Sequence, residues 1–190
     1  MKILLLRKNN CPYCDKALEF LRDTDHTIGV LQADKRFDKF PNDIGWKPDV
    51  VFSFKNYMIL PKKITDSTLC INFHPGPPEH PGSCSANQAL YNHYSEFGVT
   101  AHFMNDLVDN GLIFRVRRFP INPEDSLDDL LDKANIEVLL LFQEVVKDMT
   151  TTWKGKARTG KDLDKLISTP FRNMTEKLRL DRATKRRKRV

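Results

Sequence analysis

The stretch Leu69-Cys-Ile-Asn-Phe-His-Pro-Gly-Pro-Pro-Glu-His-Pro-Gly82 decides how the rest of the chain is read. A short apolar run carries Asn72 and His74, then breaks into a segment with four prolines and two glycines that neither helix nor strand tolerates. Side chains repeat with period two along a strand, so Asn72 and His74 project from one face. An amide and an imidazole aimed together at a strand's end suit a reaction that polarises a carbonyl while a proton moves. Taken alone, the stretch also fits two polar residues that merely cap a buried strand.

Working outward, strands and helices alternate. Residues 2 to 7 form an apolar strand, and Cys14, Ala17, Leu18 and Leu21 mark one face of a helix with Pro12 near its start. A strand around Thr27 to Leu31 completes a β-α-β beginning. Lys35 to Lys47 is charged and turn-rich, and reads as a surface excursion. Asp49-Val-Val-Phe-Ser-Phe54 is a strong strand. Beyond the proline-rich loop, Ser83 or Ser85 is expected to cap a helix from Ala86 to Tyr94. Gly98 ends the connection into a strand from Val99 to Met104, where His102 reads as a core or supporting histidine. A turn from Asn105 to Gly111 carries Asp109, and Leu112 to Ile121 forms a half-exposed strand. Ser126 then caps a long helix whose Leu127, Leu130, Leu131, Ala134, Val138, Leu141, Phe142 and Val145 form one apolar face.

The chain has 190 residues, 40% hydrophobic and 29% charged, which suits a soluble domain with an appendage. No apolar run approaches the roughly 18 residues of a membrane span, and the start lacks the features of a signal peptide, so the cytoplasm is the expected location. From Lys154 to Val190 fourteen Lys and Arg face four Asp and Glu; with +6 overall, the body carries about −4. The basic character belongs to the tail, whose end, Lys185-Arg-Arg-Lys-Arg189, is expected to be disordered. Cys11, Cys14, Cys70 and Cys84 read as reduced thiols. No His and Cys spacing suggests a zinc site, and no Gly-x-Gly-x-x-Gly follows the first strand. His26 and His93 carry no signal beyond that of surface residues.

Asn-x-His-Pro-Gly at 72–76, Gly-Val-Thr-x-His-x-Met at 98–104 and Val-Asp-Asn-Gly-x-Ile at 108–113 together resemble the folate-dependent formyltransferase family. The wording of the proline-rich loop, with Ala89-Leu-Tyr91 downstream, is most similar to the branch acting on amino sugars attached to nucleotides. The resemblance covers residues 50 to 145 well and the ends poorly. It implies a Rossmann-like α/β fold, a mostly parallel twisted sheet flanked by helices, over 1–150, with an abbreviated N-terminal half and a short basic extension at 151–190. It implies Asn72, His74 and Asp109 as the catalytic constellation, with no metal. N10-formyltetrahydrofolate would be the co-substrate, lined by Phe54, Lys55, Asn56, Tyr57, Met58, Ile59, Met104 and Asn105. Pro75, Gly76, Pro77, His80 and Gly82 would meet the acceptor, a nucleotide-linked amino sugar.

Family members that formylate initiator methionyl-tRNA carry a separate barrel, whereas about 40 residues follow Met149 here. That acceptor and hydrolysis of formyl-folate therefore rank as alternatives. The basic tail would serve any nucleic-acid contact, and a homodimer is compatible with the sequence. Separately, Cys11-Pro-Tyr-Cys14 is similar to the glutaredoxin active-site motif, in which a thiolate at a helix start is partnered by a second cysteine. The short distance to the formyltransferase-like core leaves little room for a thioredoxin-like domain. Packing of the first helix onto the sheet is the expected role of these cysteines.

Overall fold

The computed structural model describes residues 1–35, 38–105 and 108–150. In chain order the elements are β1 (Lys2–Lys8), α1 (Pro12–Arg22), β2 (Thr27–Ala33), β3 (Val50–Phe54), α2 (Lys62–Ser67), β4 (Leu69–His74), α3 (Ser85–Tyr91), β5 (Glu96–Phe103), β6 (Ile113–Pro120) and α4 (Leu127–Asp148). They build a six-stranded sheet in the order β2-β1-β3-β4-β5-β6. β2, β1, β3 and β4 run parallel, β5 is antiparallel to β4, and β6 is antiparallel to β5. This is the mostly parallel, Rossmann-like α/β sheet that the sequence led one to expect. The basic extension at 151–190, including its expected disorder, lies outside the described residues.

Alternation distributes the strands over two faces. Ile3 and Leu5, Val50, Phe52 and Phe54, and Ile71 and Phe73 point to the face covered by α1, α3 and α4. There Phe142 of α4 packs edge-on at 5.5, 5.2 and 5.0 Å between centroids against Phe52, Phe54 and Phe73. Helix α4 starts at the expected cap: the Asp129 amide donates to the Ser126 hydroxyl, and the Asp129 carboxylate accepts from the Ser126 amide. Among the described residues no helix is long and apolar enough to cross a membrane.

Leu4 and Leu6, Val51 and Cys70 point to the second face, where they meet Ala33, Phe40, Met58 and Leu60. Phe40 is buried, and Ile44 and Trp46 pack partly buried against the same cluster. The segment read as a surface excursion therefore supplies apolar cover where a longer chain would place regular elements. Two local expectations are corrected. Helix α3 spans Ser85–Tyr91 and has no side-chain cap; Cys84, in the left-handed region at φ 73°, turns the chain into it. Gly98 lies inside β5, paired with Arg118, and does not precede the strand.

Candidate active site

The second face changes character along its strands. β1, β3 and β4 begin apolar there and end polar: Leu4 and Leu6 lead to Lys8, Val51 to Ser53, and Cys70 to Asn72 and His74. Asn72 pairs with His102 of β5, and His74 with Thr100, so two strands raise amide, imidazole and hydroxyl groups side by side. The turn after β5 then folds Asp109 over this row, with Asp109 itself at φ 48°. Gly111 follows closely enough that a Cβ would fall 1.4 Å from the Phe103 carbonyl oxygen, so only glycine lets the turn return so tightly.

The groups converge on the Asp109 carboxylate. Its Oδ1 accepts from Asn72 Nδ2 at 3.1 Å and its Oδ2 from the Gly82 amide at 2.9 Å. His74 Nδ1 lies 3.5 Å from Oδ2 and His102 Nε2 lies 3.4 Å from Oδ1. Burial opposes ionisation of this carboxyl, but the His102 hydrogen bond, the charges of His74 and His102 and the Gly82 amide outweigh it and hold it at about 2.

Partners settle the tautomers. His102 Nδ1 faces the Phe103 carbonyl at 2.9 Å, so in the neutral ring Nδ1 carries the proton and Nε2 accepts from Asn72 Nδ2 at 3.0 Å. His74 Nε2 faces the His80 carbonyl at 3.3 Å and donates to it. Its Nδ1 is left facing a carboxylate, and a proton taken there gains an ionic partner. Gly76 packs beneath this ring, where a Cβ would come within 2.4 Å of His74 Nε2, and its carbonyl accepts from Thr100 Oγ1 at 2.8 Å.

These groups open onto a cleft of about 460 Å³. Lys55, Asn56, Tyr57, Met58, Ile59, Met104 and Asn105 line it, as do Pro75 and Gly82. Asn56 shapes its own loop, donating from Nδ2 to the Met58 carbonyl and accepting from the Met58 amide. Ile59 and Val108 are 54% and 68% exposed at the wall, apolar surface that a flat ring system would cover.

Four expected lining residues stand elsewhere. Phe54 has the wrong parity: it lies on the α4 face and is fully buried among Phe73 and Phe142. Gly76 and Pro77 are buried within the proline-rich loop, and the His80 ring stacks on Tyr94 at 5.3 Å. Conversely, Lys8, Ser53, Ser83 and His102 line the cleft and were not assigned to it. The signal for Lys8 was its place at the carboxyl end of β1, where open α/β sheets bind ligands. The signal for His102 was its register opposite Asn72, which becomes visible only once β4 and β5 are known to be antiparallel neighbours.

Fold and site together define an α/β protein with an amide, two imidazoles and a carboxylate gathered at the end of a ligand-sized cleft. Residues 44–145, more than half of the chain, match the Formyl transferase family model, and the chain belongs to that family. It is 33% identical over 126 residues to a methionyl-tRNA formyltransferase of Lysinibacillus sphaericus, a match covering 64% of this chain and 39% of the relative. It is 31% identical over 94 residues to the phosphoribosylglycinamide formyltransferase of Haemophilus influenzae, covering 49% and 43%. The chain thus spans about two fifths of the length of these curated relatives. Among solved structures, the N-formyltransferase of Helicobacter canadensis, in complex with folinic acid and dTDP-3-aminofucose, shares the fold. Its TM-score is 0.64 at 20% identity, covering 78% of this chain and 63% of that one.

Proposed function

We propose that the chain transfers a formyl group from N10-formyltetrahydrofolate to the amine of a nucleotide-linked amino sugar, with Asn72, His74 and Asp109 as the catalytic residues. The observation that carries this reading is the convergence of those three side chains, within 3.5 Å of one another's polar atoms through Asp109, at the wall of the 460 Å³ cleft. A cleft of that size, apolar along Met58, Ile59, Met104 and Val108 and polar at one end, fits a pterin body with its reactive arm toward Asn72. When bound, the formyl-folate supplies an activated one-carbon unit to a nucleophilic amine.

His74 accepts the proton the attacking amine must lose, at Nδ1, where Asp109 stabilises the imidazolium. The same pair then returns a proton to the departing folate nitrogen, so the proton lost by the amine is balanced by the one gained there. Asn72 serves the developing oxyanion, a contribution worth about 2.7–4 kcal/mol for a donor so placed. Both of its Nδ2 hydrogens are already engaged, with His102 and with Asp109. One must be released. A substrate carbonyl oxygen that takes the place of the His102 Nε2 acceptor frees that Asn72 N–H for the reaction.

The choice of acceptor is supported by the amino-sugar nucleotide named with the Helicobacter canadensis neighbour and by the wording of the loop at 73–82. The methionyl-tRNA relatives favour a second reading, tRNA. Formyl transfer measured with a dTDP-amino sugar, methionyl-tRNA and phosphoribosylglycinamide separates them. Turnover of the sugar nucleotide alone, lost in His74→Ala, is the expected result. Turnover of none, or equal activity of the variant, would overturn the proposal.

A further inference from the structure

Formyl transfer leaves unused a pair of buried thiols at the start of α1. Cys11 is the cap residue of α1 and Cys14 lies in its first turn, with Pro12 between them at the helix start. The turn is closed by the Asp15 amide donating to the Cys11 carbonyl at 3.0 Å. Cys14 is fully buried and its thiol donates to the Phe54 carbonyl at 3.7 Å, while Cys11 retains 4% exposure. Cβ atoms three positions apart on a helix lie about 5–6 Å apart, so closing a disulfide, whose Cβ atoms lie about 3.5–4.5 Å apart, needs an approach of about 1–2 Å at the start of α1.

From this arrangement we infer that Cys11 and Cys14 form a redox-active dithiol, which exchanges with small-molecule disulfides and closes to an intramolecular bond.

The surroundings divide the roles. The Cys14 thiol's hydrogen bond, the helix start, and the cations Lys55 and Lys8 favour the thiolate at Cys11 against its burial. Cys14 is held in the protonated form by its bond to Cys11 and by burial. Around them stand Arg7, ion-paired with Asp15 at 2.6 Å, Lys8 of β1, Lys55 after β3, and Asp132 of α4, whose charge acts on Lys55. Lys55 also donates to Asn135 Oδ1 and reaches the Tyr13 ring at 6.0 Å, which fixes it beside the thiols.

In the first step the Cys11 thiolate attacks one sulfur of a disulfide RSSR. A Cys11–S–S–R bond forms, and RS⁻ leaves and takes up a proton. Cys14 then loses its proton, attacks the Cys11 sulfur and expels the second RS⁻. The protein loses two hydrogens and two electrons, and RSSR becomes two RSH. Lys8 and Lys55 line the folate-sized cleft as well, so oxidation withdraws a negative charge from the same two cations.

The test uses the full folded chain in a Cys84→Ser background, which removes the exposed thiol, and oxidised glutathione as the probe. The expected result is loss of two hydrogens from the Cys11–Cys14 segment, release of two glutathiones per chain, and reversal by dithiothreitol. Cys14→Ser, with Cys14→Ala in case serine disturbs the core, is expected to stop with one glutathione on Cys11, and Cys11→Ser to remain unmodified at Cys14. Cys70, whose thiol burial pushes up to about 12, should not react in either. Modification that appears only after unfolding in urea, or a native mixed disulfide that Cys14 never resolves, would overturn the inference. The readout is mass and not formyl transfer, so it stands or falls independently of the proposed activity.

Discussion

Replacing Asp109 by Asn keeps the shape of the side chain and removes its charge. In the wild type Oδ1 accepts from Asn72 and Oδ2 from the Gly82 amide. An amide offers one acceptor oxygen, so its NH2 end must face one of those donors in a site where the side chain is only 12% exposed. A buried donor left unpaired costs about 1–3 kcal/mol. Ionisation gives an independent figure. Holding the carboxyl at about 2 against an ordinary 3.8 corresponds to about 2 kcal/mol. The folded value lies below the unfolded one, so this stabilisation is complete above about pH 4 and is lost as the pH falls toward 2. Urea unfolding is therefore expected to show Asp109→Asn about 2 kcal/mol less stable than wild type near neutrality, with the gap closing in acid. Formyl transfer by the variant is expected to fall by about 10²–10⁴-fold. Coincident urea transitions at neutral pH, or a gap that persists unchanged below about pH 3, would refute the reasoning.

Three further perturbations probe separate layers of the structure. Gly76→Ala places a Cβ 2.4 Å from His74 Nε2 and 2.8 Å from Ser85 Oγ; displacement of the ring is expected to lower kcat by about 10²-fold, read in single-turnover assays. Phe142→Ala removes the ring that Phe52, Phe54 and Phe73 surround. A loss of about 3–5 kcal/mol is expected in urea unfolding, with KM unchanged because the residue faces away from the cleft. Ser126→Ala deletes the side-chain half of the α4 cap and leaves the Ser126 amide on the Asp129 carboxylate; about 0.5–2 kcal/mol should be lost, and Ser126→Asn should restore most of it.

Much of this was legible because strands buried on both faces announce themselves as apolar runs, and a Ser-x-x-Asp start announces a helix. Asn72, His74 and Asp109 were singled out as residues, and the structure brings them together. The expected lining residues that stand away from the cleft share a cause. Phe54 was grouped with the loop that follows it, although alternation from Val50 and Phe52 already put it on the α4 face. Gly76, Pro77 and His80 were grouped by adjacency in a stiff loop, whereas the loop spends Gly76 and Pro77 on its own packing and His80 on Tyr94. The inward turn of Phe40 and Trp46 had no periodic signal to announce it, since an irregular segment can bury single residues at any spacing. Trp46 settles over Gly29, where a Cβ would fall 2.1 Å from its ring.

The location of the site follows from how the two faces differ. On the α4 face β1, β3 and β4 stay apolar to their ends, apart from Arg7, which pairs with Asp15 of α1. On the other face the same strands pass from Leu, Val and Cys to Lys8, Ser53, Asn72 and His74 within one or two pleats. A sheet so graded cannot be covered by a helix along its whole length without burying unpaired polar groups, which costs several kcal/mol for each charge. The chain covers only the apolar half, with residues around Phe40, Trp46 and Met58, and leaves the polar half to the turn carrying Asp109. The antiparallel entry of β5 is what makes that turn available. A parallel strand would have carried His102 and the following residues away along the crossover. Running backward, β5 sets His102 against Asn72 and delivers the chain to a reversal from which Asp109 reaches both histidines. The reactive cluster is thus a consequence of one change of strand direction on one graded face.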